Sequence, residues 1–290
     1  MALFINTNVA SLGAQRSLAT SGAELKTAME RLSSGKKINS AADDAAGFAI
    51  AERMTAQIRG LNMATKNAND GLSMLAVIEN ATNDITDMLH RMRELAIQAT
   101  NDTNSTEDLG YLDAEVDQLK AEITRIAQDT HYNGTAYLNG TPAGATGTPA
   151  ATNSVIGKFQ VGTEANQTID FTITAVNAAR IGTSGGDQVN GIDLTASDGA
   201  ADALTVITDA IEQVAGNRAT YGALQNRLEY TVSNLMNVAE FTTAARSRIE
   251  DADFAAESAR LAKAQVLQQT GTAMLAQANA SSQLALSLIR

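Results

Sequence analysis

The chain has 290 residues, a formal net charge of −11, no cysteine and 44 % hydrophobic but only 4 % aromatic residues. The missing cysteines exclude a disulfide scaffold, thiol catalysis and cysteine-ligated zinc, and two histidines argue against a histidine-rich metal site. With two prolines in the chain, long uninterrupted helices are permitted.

The charge is unevenly distributed along the chain. Residues 1–66 carry eight basic and five acidic side chains, whereas residues 67–138 carry four and thirteen. Because an acidic middle repels phosphate, nucleic acid is not expected as a partner. No stretch reaches the roughly 18 apolar residues of a membrane span, and the first residues lack the basic start and long apolar run of a usual secretory signal. Composition therefore predicts a cytoplasmic protein or one exported by another route.

The first predicted helix covers residues 9–33. A seven-residue repeat of leucines indicates a face packed against another helix; its members are Leu18, Leu25 and Leu32. Gly22 and Met29 lie near the intervening positions of this repeat. Gly35 predicts the end of the helix.

The strongest periodic pattern runs from Met54 to Ala99, where apolar side chains are spaced by threes and fours. It predicts one helix with a single apolar stripe, on the order of 70 Å long. Ser105 and Asp108 form a capping-box pattern that restarts a helix. A heptad pattern follows, and it predicts a helix packed antiparallel on the long one.

The middle of the chain has the pattern of turns and strands. Asn133-Gly134 and Asn139-Gly140 are turn signals. Two strands form a predicted β-hairpin at about residues 155–176, since apolar and polar side chains alternate in the second strand. Residues 183–198 are rich in Gly, Ser and Asp and show no period, so we predict a surface loop there.

Helical spacing returns near Ala200, and a last helix is predicted from about Asp253 to the C-terminus. Its second half is apolar on more than one face, so it must be enclosed by its own chain or by copies of it. These elements predict a mainly α fold, an elongated helical rod or coiled coil built from both chain ends, with a small β-hairpin region in the middle.

The histidine and acidic residues that could form a chemical site are better explained by structural roles. His90 and His131 are poor metal ligands without cysteine support, and the carboxylates of residues 102–122 lack calcium-binding spacing. Asp43 and Asp44 are expected to complement the dipole of the long helix. We therefore predict no catalytic, cofactor-binding or metal site, and a protein that is not an enzyme.

Motifs at both chain ends resemble those of bacterial flagellins. The N-terminal motifs are Ile5-Asn-Thr-Asn8, Leu32-Ser-Ser-Gly-Lys-Lys-Ile-Asn-Ser-Ala41, Asp43-Asp-Ala-Ala-Gly47, Ile58-Arg-Gly-Leu61, Asn67-Ala-Asn-Asp-Gly71 and Arg93-Glu-Leu-Ala96. The C-terminal motifs are Tyr221-Gly-Ala-Leu-Gln-Asn-Arg-Leu228, Ser247-Arg-Ile249, Asp251-Ala-Asp253, Gln268-Gln269, Met274-Leu-Ala-Gln-Ala-Asn279 and Leu288-Ile-Arg290. So many motifs, in one order and at both ends, make the resemblance specific.

The resemblance implies a structural subunit that polymerises into the flagellar filament for swimming motility. It implies export of the unfolded chain through the flagellar type III apparatus and a final extracellular location in the filament. Residues 1–44 with 250–290 would form an inner coiled-coil domain, and residues 45–182 with 199–249 a helical rod domain. The loop at 183–198 would stand in place of the large outer domains of longer flagellins.

The resemblance also implies sites and partners. Subunit–subunit packing is expected at Leu18, Leu25, Leu32, Met274, Leu275, Leu284, Leu286, Leu288 and Ile289. Expected partners are further copies of the chain, an export chaperone at the C-terminal helices, and the filament cap and hook-junction proteins. Arg91, Leu95 and Glu115 match positions through which a host innate immune receptor recognises flagellin monomers. The alternative is that Arg91 and Glu115 are solvated and Leu95 packs between helices.

Two other classes of protein share part of the pattern. A hook–filament junction protein has similar chain ends but usually matches the pattern from Met274 to Arg290 poorly. A cytoplasmic signalling coiled coil would have neither a β region in the middle nor an apolar C-terminal tail.

Overall fold

The computed structural model describes residues 8–140, 154–182, 188–196 and 199–287, with no side-chain description for residues 281–287. Within these ranges the chain is mainly helical, as predicted. The helices are α1 Val9–Ser34, α2 Ala45–Ala99, α3 Thr106–Asp129, α4 Gly199–Glu250 and α5 Phe254–Ser287. The strands are β1 His131–Tyr132, β2 Thr135–Ala136, β3 Ser154–Gln160 and β4 Thr168–Thr174.

The helix boundaries follow from local hydrogen bonding. Gly35 ends α1 in the left-handed conformation with φ 71°, which glycine adopts without steric cost. Asp44 Oδ1 accepts the backbone N–H groups of Ala46 and Gly47 at the start of α2, at 3.1 and 3.0 Å. The predicted capping box of Ser105 with Asp108 is present at the start of α3, and this exchange of hydrogen bonds lowers the pKa of Asp108.

Two antiparallel strand pairs occupy the middle of the described chain. Strands β1 and β2 are joined by Asn133 and Gly134, both at positive φ, which is the requirement of a tight two-residue turn. The predicted β-hairpin is confirmed as β3 paired with β4 from Ser154↔Thr174 to Gln160↔Thr168. The inward face of β4 carries the apolar side chains Ile169, Phe171 and Ile173.

The chain divides into two compact units, Met1–Arg59 with Glu240–Arg290 and Gly60–Ala239. The core of the Gly60–Ala239 unit contains the apolar stripe predicted for α2. The fully buried members of that stripe include Leu75, Ile78, Ile85, Leu89 and Met92. They share this core with apolar side chains from α3, α4 and β4.

Helix α3 returns antiparallel along α2, as the heptad pattern predicts. Arg91 of α2 contacts Glu115 of α3 at 2.9 Å. Nearer the start of α2, Asp84 lies in a groove that it shares with Glu122 and Asp129 of α3. Residue numbers therefore rise on one helix as they fall on the other.

The structure corrects the prediction of a surface loop at residues 183–198. In its described part, residues 188–196, the side chains of Val189, Ile192 and Leu194 are buried at 0, 6 and 1 % exposure. Polar groups of α3 hold this segment, because Lys120 Nζ donates to the Ile192 carbonyl and Asp113 Oδ1 accepts the Leu194 N–H at 3.0 Å. Three apolar side chains among Gly, Asn and Asp show no period, which is why the pattern did not reveal them. Residues 183–187 and 197–198 lie outside the described residues.

Candidate functional site: the paired terminal helices

Helices α1 and α5 pack against each other in antiparallel orientation. At one end, Asn8 Nδ2 donates to the Ala278 carbonyl at 2.9 Å and Ser11 Oγ donates to Asn279 Oδ1 at 3.0 Å. At the other end, Arg31 contacts Glu257 at 3.0 Å. The two ends of the described chain thus form one helical pair.

The contact face of α1 follows a regular spacing of three and four residues. Its members are Ser11, Ala14, Leu18, Ser21, Leu25, Ala28 and Leu32, each buried or half-buried. The intervening positions are Ser21 and Ala28, each directly before one of the residues that the pattern placed near them, Gly22 and Met29; Met29 is 53 % exposed. Small side chains at these positions let the helices approach closely. A β-carbon on Gly271 of α5 would lie only 3.0 Å from Leu18 Cγ.

A buried carboxylate joins the two helices where α5 begins. Glu257 is 4 % exposed, and its Oε1 accepts Arg31 Nη1 and Arg260 Nη1, each at 3.0 Å. Glu257 also lies in the first turn of α5, and Arg31 lies in the last turn of α1. Each charge therefore interacts favourably with the dipole of its own helix. The leucine repeat alone did not indicate this ion cluster.

The segment that follows α1 and the segment that precedes α5 are held together by backbone hydrogen bonds. Lys37 N–H donates to the Glu250 carbonyl at 2.6 Å, and Ala252 N–H donates to the Gly35 carbonyl at 2.9 Å. Lys36 forms an ion pair with Glu250. Asp253 caps α5 by accepting the Ala255 N–H at 2.9 Å. The end of α1 and the start of α5 are therefore anchored to each other.

Large apolar side chains lie on the outward surface of this helical pair. We call the five nearest the chain ends the outward face: Val9, Leu12, Val266, Leu267 and Met274, which are 42–70 % exposed. Met29 and Phe254, exposed by 53 and 69 %, lie toward the other end of the pair. Part of the outward face borders a groove between the helices, lined by Ala10, Ala14, Ser17, Leu267, Gly271 and Met274. An apolar surface rimmed by polar side chains is typical of a contact with another protein molecule.

The predicted packing residues fall into three groups. Leu18, Leu25, Leu32 and Leu275 are half-buried at positions spaced for the contact between α1 and α5 within one chain. Met274 is 64 % exposed on the outward face. The side chains of Leu284 and Leu286, and all of Leu288 and Ile289, lie outside the described residues.

The predicted receptor positions are only partly at the surface. Arg91 and Glu115 are about half exposed and paired, with Arg91 also contacting Glu94 at 3.0 Å; these hydrogen bonds, first that to Glu115, raise the pKa of Arg91. Leu95 is 1 % exposed and belongs to the core. The alternative stated for Leu95, packing between helices, is therefore its position in this structure.

The described part of the chain contains no group of three or more His, Asp or Glu side chains arranged to hold a metal ion. Nor does it contain a helix long and apolar enough to cross a membrane. The anchored pair of terminal helices with exposed apolar side chains is typical of a helical subunit of a larger assembly.

Comparison with known proteins identifies the family. Residues 5–143 match the bacterial flagellin N-terminal helical region, and residues 204–289 match the C-terminal helical region. The chain is 41 % identical over 288 residues to a flagellar filament 33 kDa core protein of Treponema phagedenis, covering 99 % of this chain and 100 % of that protein. It is 41 % identical over 304 residues to a flagellin of Bacillus subtilis strain 168, covering 99 % of each.

The chain belongs to the bacterial flagellin family. Flagellins are structural subunits of the flagellar filament, so this chain is a structural protein and not an enzyme. A solved chain from Vibrio parahaemolyticus, assigned to the flagellar hook-associated proteins, aligns with a TM-score of 0.60 over 72 % of this chain and 100 % of its own, at 17 % identity. That likeness shows the fold alone. The matches to flagellins over almost their full length favour the flagellin prediction over a hook–filament junction protein or a signalling coiled coil.

Proposed function

We propose that this chain polymerises into an extracellular flagellar filament by burying the outward face of its α1/α5 pair against further copies. The observation that carries the proposal is the exposure of the five large apolar side chains of the outward face, among them Leu267 at 42 % and Met274 at 64 %. The membership of the flagellin family supports a second copy of the chain as the occupant of this surface.

Burial of the outward face contributes favourably to assembly. Fully burying a Val, Leu or Met side chain contributes roughly 1.5–3 kcal/mol, and each side chain of the outward face still has about half of its surface to bury. We therefore estimate about 1 kcal/mol from each, and about 5 kcal/mol per subunit. Ordering of the chain ends opposes part of this gain, so the figure is an upper value.

The domain assignment is part of the proposal. Residues 1–44 with 250–290 would form the inner coiled-coil domain of the filament, supported by the pairing of α1 with α5. Residues 45–182 with 199–249 would form the helical domain outside it. The described part of residues 183–198 packs into the core of the Gly60–Ala239 unit and so does not stand in place of outer domains.

Export and partners follow from the resemblance to flagellins. We propose export of the unfolded chain through the flagellar type III apparatus, a chaperone at the C-terminal helices, and contacts with filament cap and hook-junction proteins. The exposed outward face supports a chaperone, because a free subunit would otherwise present it to water. For the innate immune receptor, the exposed Arg91–Glu115 pair would supply the contact, while Leu95 would support it from the core.

The proposal is tested by seeded polymerisation. Purified subunits are added to sheared filament fragments, and elongation is followed by light scattering and sedimentation. Removing residues 271–290 should abolish elongation, and Leu267→Asp should do so in a chain of full length. Leu267→Met is the matched control and should elongate normally, because it keeps an apolar side chain of similar volume.

Thermal unfolding of each variant checks that the Gly60–Ala239 unit is intact, since none of these changes touches its core. Normal filaments from the truncated chain, or from Leu267→Asp, would contradict the proposal.

A further inference from the structure

We propose that Met274 is an oxidation site at which a peroxide, as a two-electron oxidant, prevents a free subunit from joining a filament. The inference rests on the proposed function, because the modification matters only if the outward face is buried by a second copy. Beyond the proposed function, it names the Met274 thioether as the group whose oxidation regulates assembly.

The described methionines differ widely in access to solvent. Met74 and Met92 are buried at 2 and 0 % exposure, and Met54 and Met88 are half-buried. Four are exposed: Met29 at 53 %, Met63 at 56 %, Met236 at 59 % and Met274 at 64 %. Oxidation follows access of the oxidant to sulfur, so these four thioethers react in the free subunit.

Met274 differs from the other three exposed methionines in its surroundings. It lies beside Leu267 and Gly271 at the groove between α1 and α5, where an apolar side chain of another copy would pack. Met29 is not among the residues that line this groove. Met63 and Met236 belong to the Gly60–Ala239 unit. Oxidation at Met274 therefore changes the surface that the proposed function assigns to assembly.

The reaction is a transfer of one oxygen atom. The thioether sulfur attacks the peroxide, an S–O bond forms, the O–O bond breaks, and the remaining oxygen leaves as water. Sulfur loses two electrons and the peroxide gains them. The product, methionine sulfoxide, replaces an apolar group with a strong hydrogen-bond acceptor.

The neutral donors of the groove are few, and its one cationic donor, Arg16, is exposed and would have to give up contact with water to pair with a buried sulfoxide. The hydroxyl groups of the groove are those of Ser17, Thr20, Ser21 and Thr270. Three of them already donate to carbonyl oxygens of their own helices: Thr20 to Arg16, Ser21 to Leu18 and Thr270 to Val266. A sulfoxide buried there by a second copy would be poorly paired, and burial of an unpaired polar group opposes association.

The experiment compares free subunits before and after treatment with hydrogen peroxide. Cleavage after Lys263 gives a C-terminal peptide, residues 264–290, in which Met274 is the one methionine, so mass spectrometry measures its oxidation directly. Seeded elongation should fall by about tenfold or more when this peptide is fully oxidised. Methionine sulfoxide reductase should restore the rate.

Variants separate Met274 from the other methionines. Met274→Leu should elongate like the untreated chain both before and after peroxide, and Met29→Leu, the matched control, should give no protection. Met274→Gln, which carries a polar side chain of similar length, should elongate slowly without any peroxide. In assembled filaments Met274 should oxidise at least about tenfold more slowly than in free subunits, because neighbours cover it.

Each result decides the inference. Normal elongation by fully oxidised subunits, or loss of elongation by peroxide-treated Met274→Leu, would overturn it while leaving the proposed function intact. Failure of untreated subunits to elongate on seeds would overturn the proposed function and the inference together.

Discussion

Lys120→Met tests how the buried segment 188–196 is held in the fold. Lys120 is 7 % exposed, and its ammonium group donates to the Ile192 carbonyl and to Asp117 Oδ1. Methionine keeps the length and apolar stem of lysine but removes the charged donor. The buried Ile192 carbonyl then loses its partner.

The expected loss is worked from these two contacts. A hydrogen bond to a charged group contributes about 1.5–3 kcal/mol, whereas the Asp117 side chain is 59 % exposed and such a pair contributes little. Removal of the desolvated ammonium offsets part of the loss, so we expect destabilisation by about 1–2 kcal/mol. For a unit of this size that corresponds to a lower melting temperature by about 4 °C.

Thermal unfolding by circular dichroism measures the shift, and hydrogen exchange at the Leu194 amide reports the segment itself. Lys66→Met is the matched control, because Lys66 lies exposed on α2 in the same unit; its melting temperature should stay within about 1 °C. Asp113→Ala should also speed exchange at Leu194 by removing the acceptor of its N–H. Equal melting temperatures for Lys120→Met and Lys66→Met would refute this account of the segment.

Three further predictions concern the core of the Gly60–Ala239 unit. Leu89→Asp or Ile123→Asp should lower the free energy of unfolding of this unit by several kcal/mol, since both side chains are 0 % exposed and a buried unpaired carboxylate is costly. Unchanged denaturation midpoints would mean that the apolar stripes of α2 and α3 do not face each other. Tyr221→Phe should be neutral or stabilising by up to about 1 kcal/mol, because the buried Tyr221 hydroxyl has no hydrogen-bond partner among the described residues. Burial raises the pKa of Tyr221 from 10.0 to about 12, so the stability that depends on the neutral hydroxyl is complete below pH 10 and is lost as pH rises toward 12. A wild-type chain no more alkali-sensitive than Tyr221→Phe in a pH series of melts would contradict this. Gly157→Val should destabilise the unit by about 1–3 kcal/mol, measured by urea denaturation, because a β-carbon at this position would lie 2.2 Å from the Phe171 ring. A stability equal to that of the wild type would show that the ring moves freely and would contradict this prediction.

Much of the helical fold could be predicted because its signals are local. Gly35 at the end of α1 and the Ser105–Asp108 capping box act within one turn of chain, and the α2 stripe repeats often enough to define one face. The β3–β4 hairpin was predictable for the same reason, since Ile169, Phe171 and Ile173 alternate with polar residues.

The segment 188–196 was not predictable, because its partners are distant in sequence. Lys120 and Ile192 are 72 residues apart and Asp113 and Leu194 are 81 apart, and a lysine on an amphipathic helix is ordinarily solvated. The buried Glu257 cluster and the serines between α1 and α5 were missed because polar residues at contact positions interrupt an apolar repeat. The leucine repeat thus indicated that α1 packs against another helix, while the register of the α1/α5 pair depends on polar and small side chains.

The most direct test of the central claim is a helical reconstruction of filaments grown from this purified chain. Val266, Leu267 and Met274 should be covered by side chains of neighbouring copies, with their exposed fractions falling from 42–64 % to that of a protein interior. Filaments in which these three side chains remain in contact with water would contradict the claim that the outward face of the α1/α5 pair makes the subunit contacts.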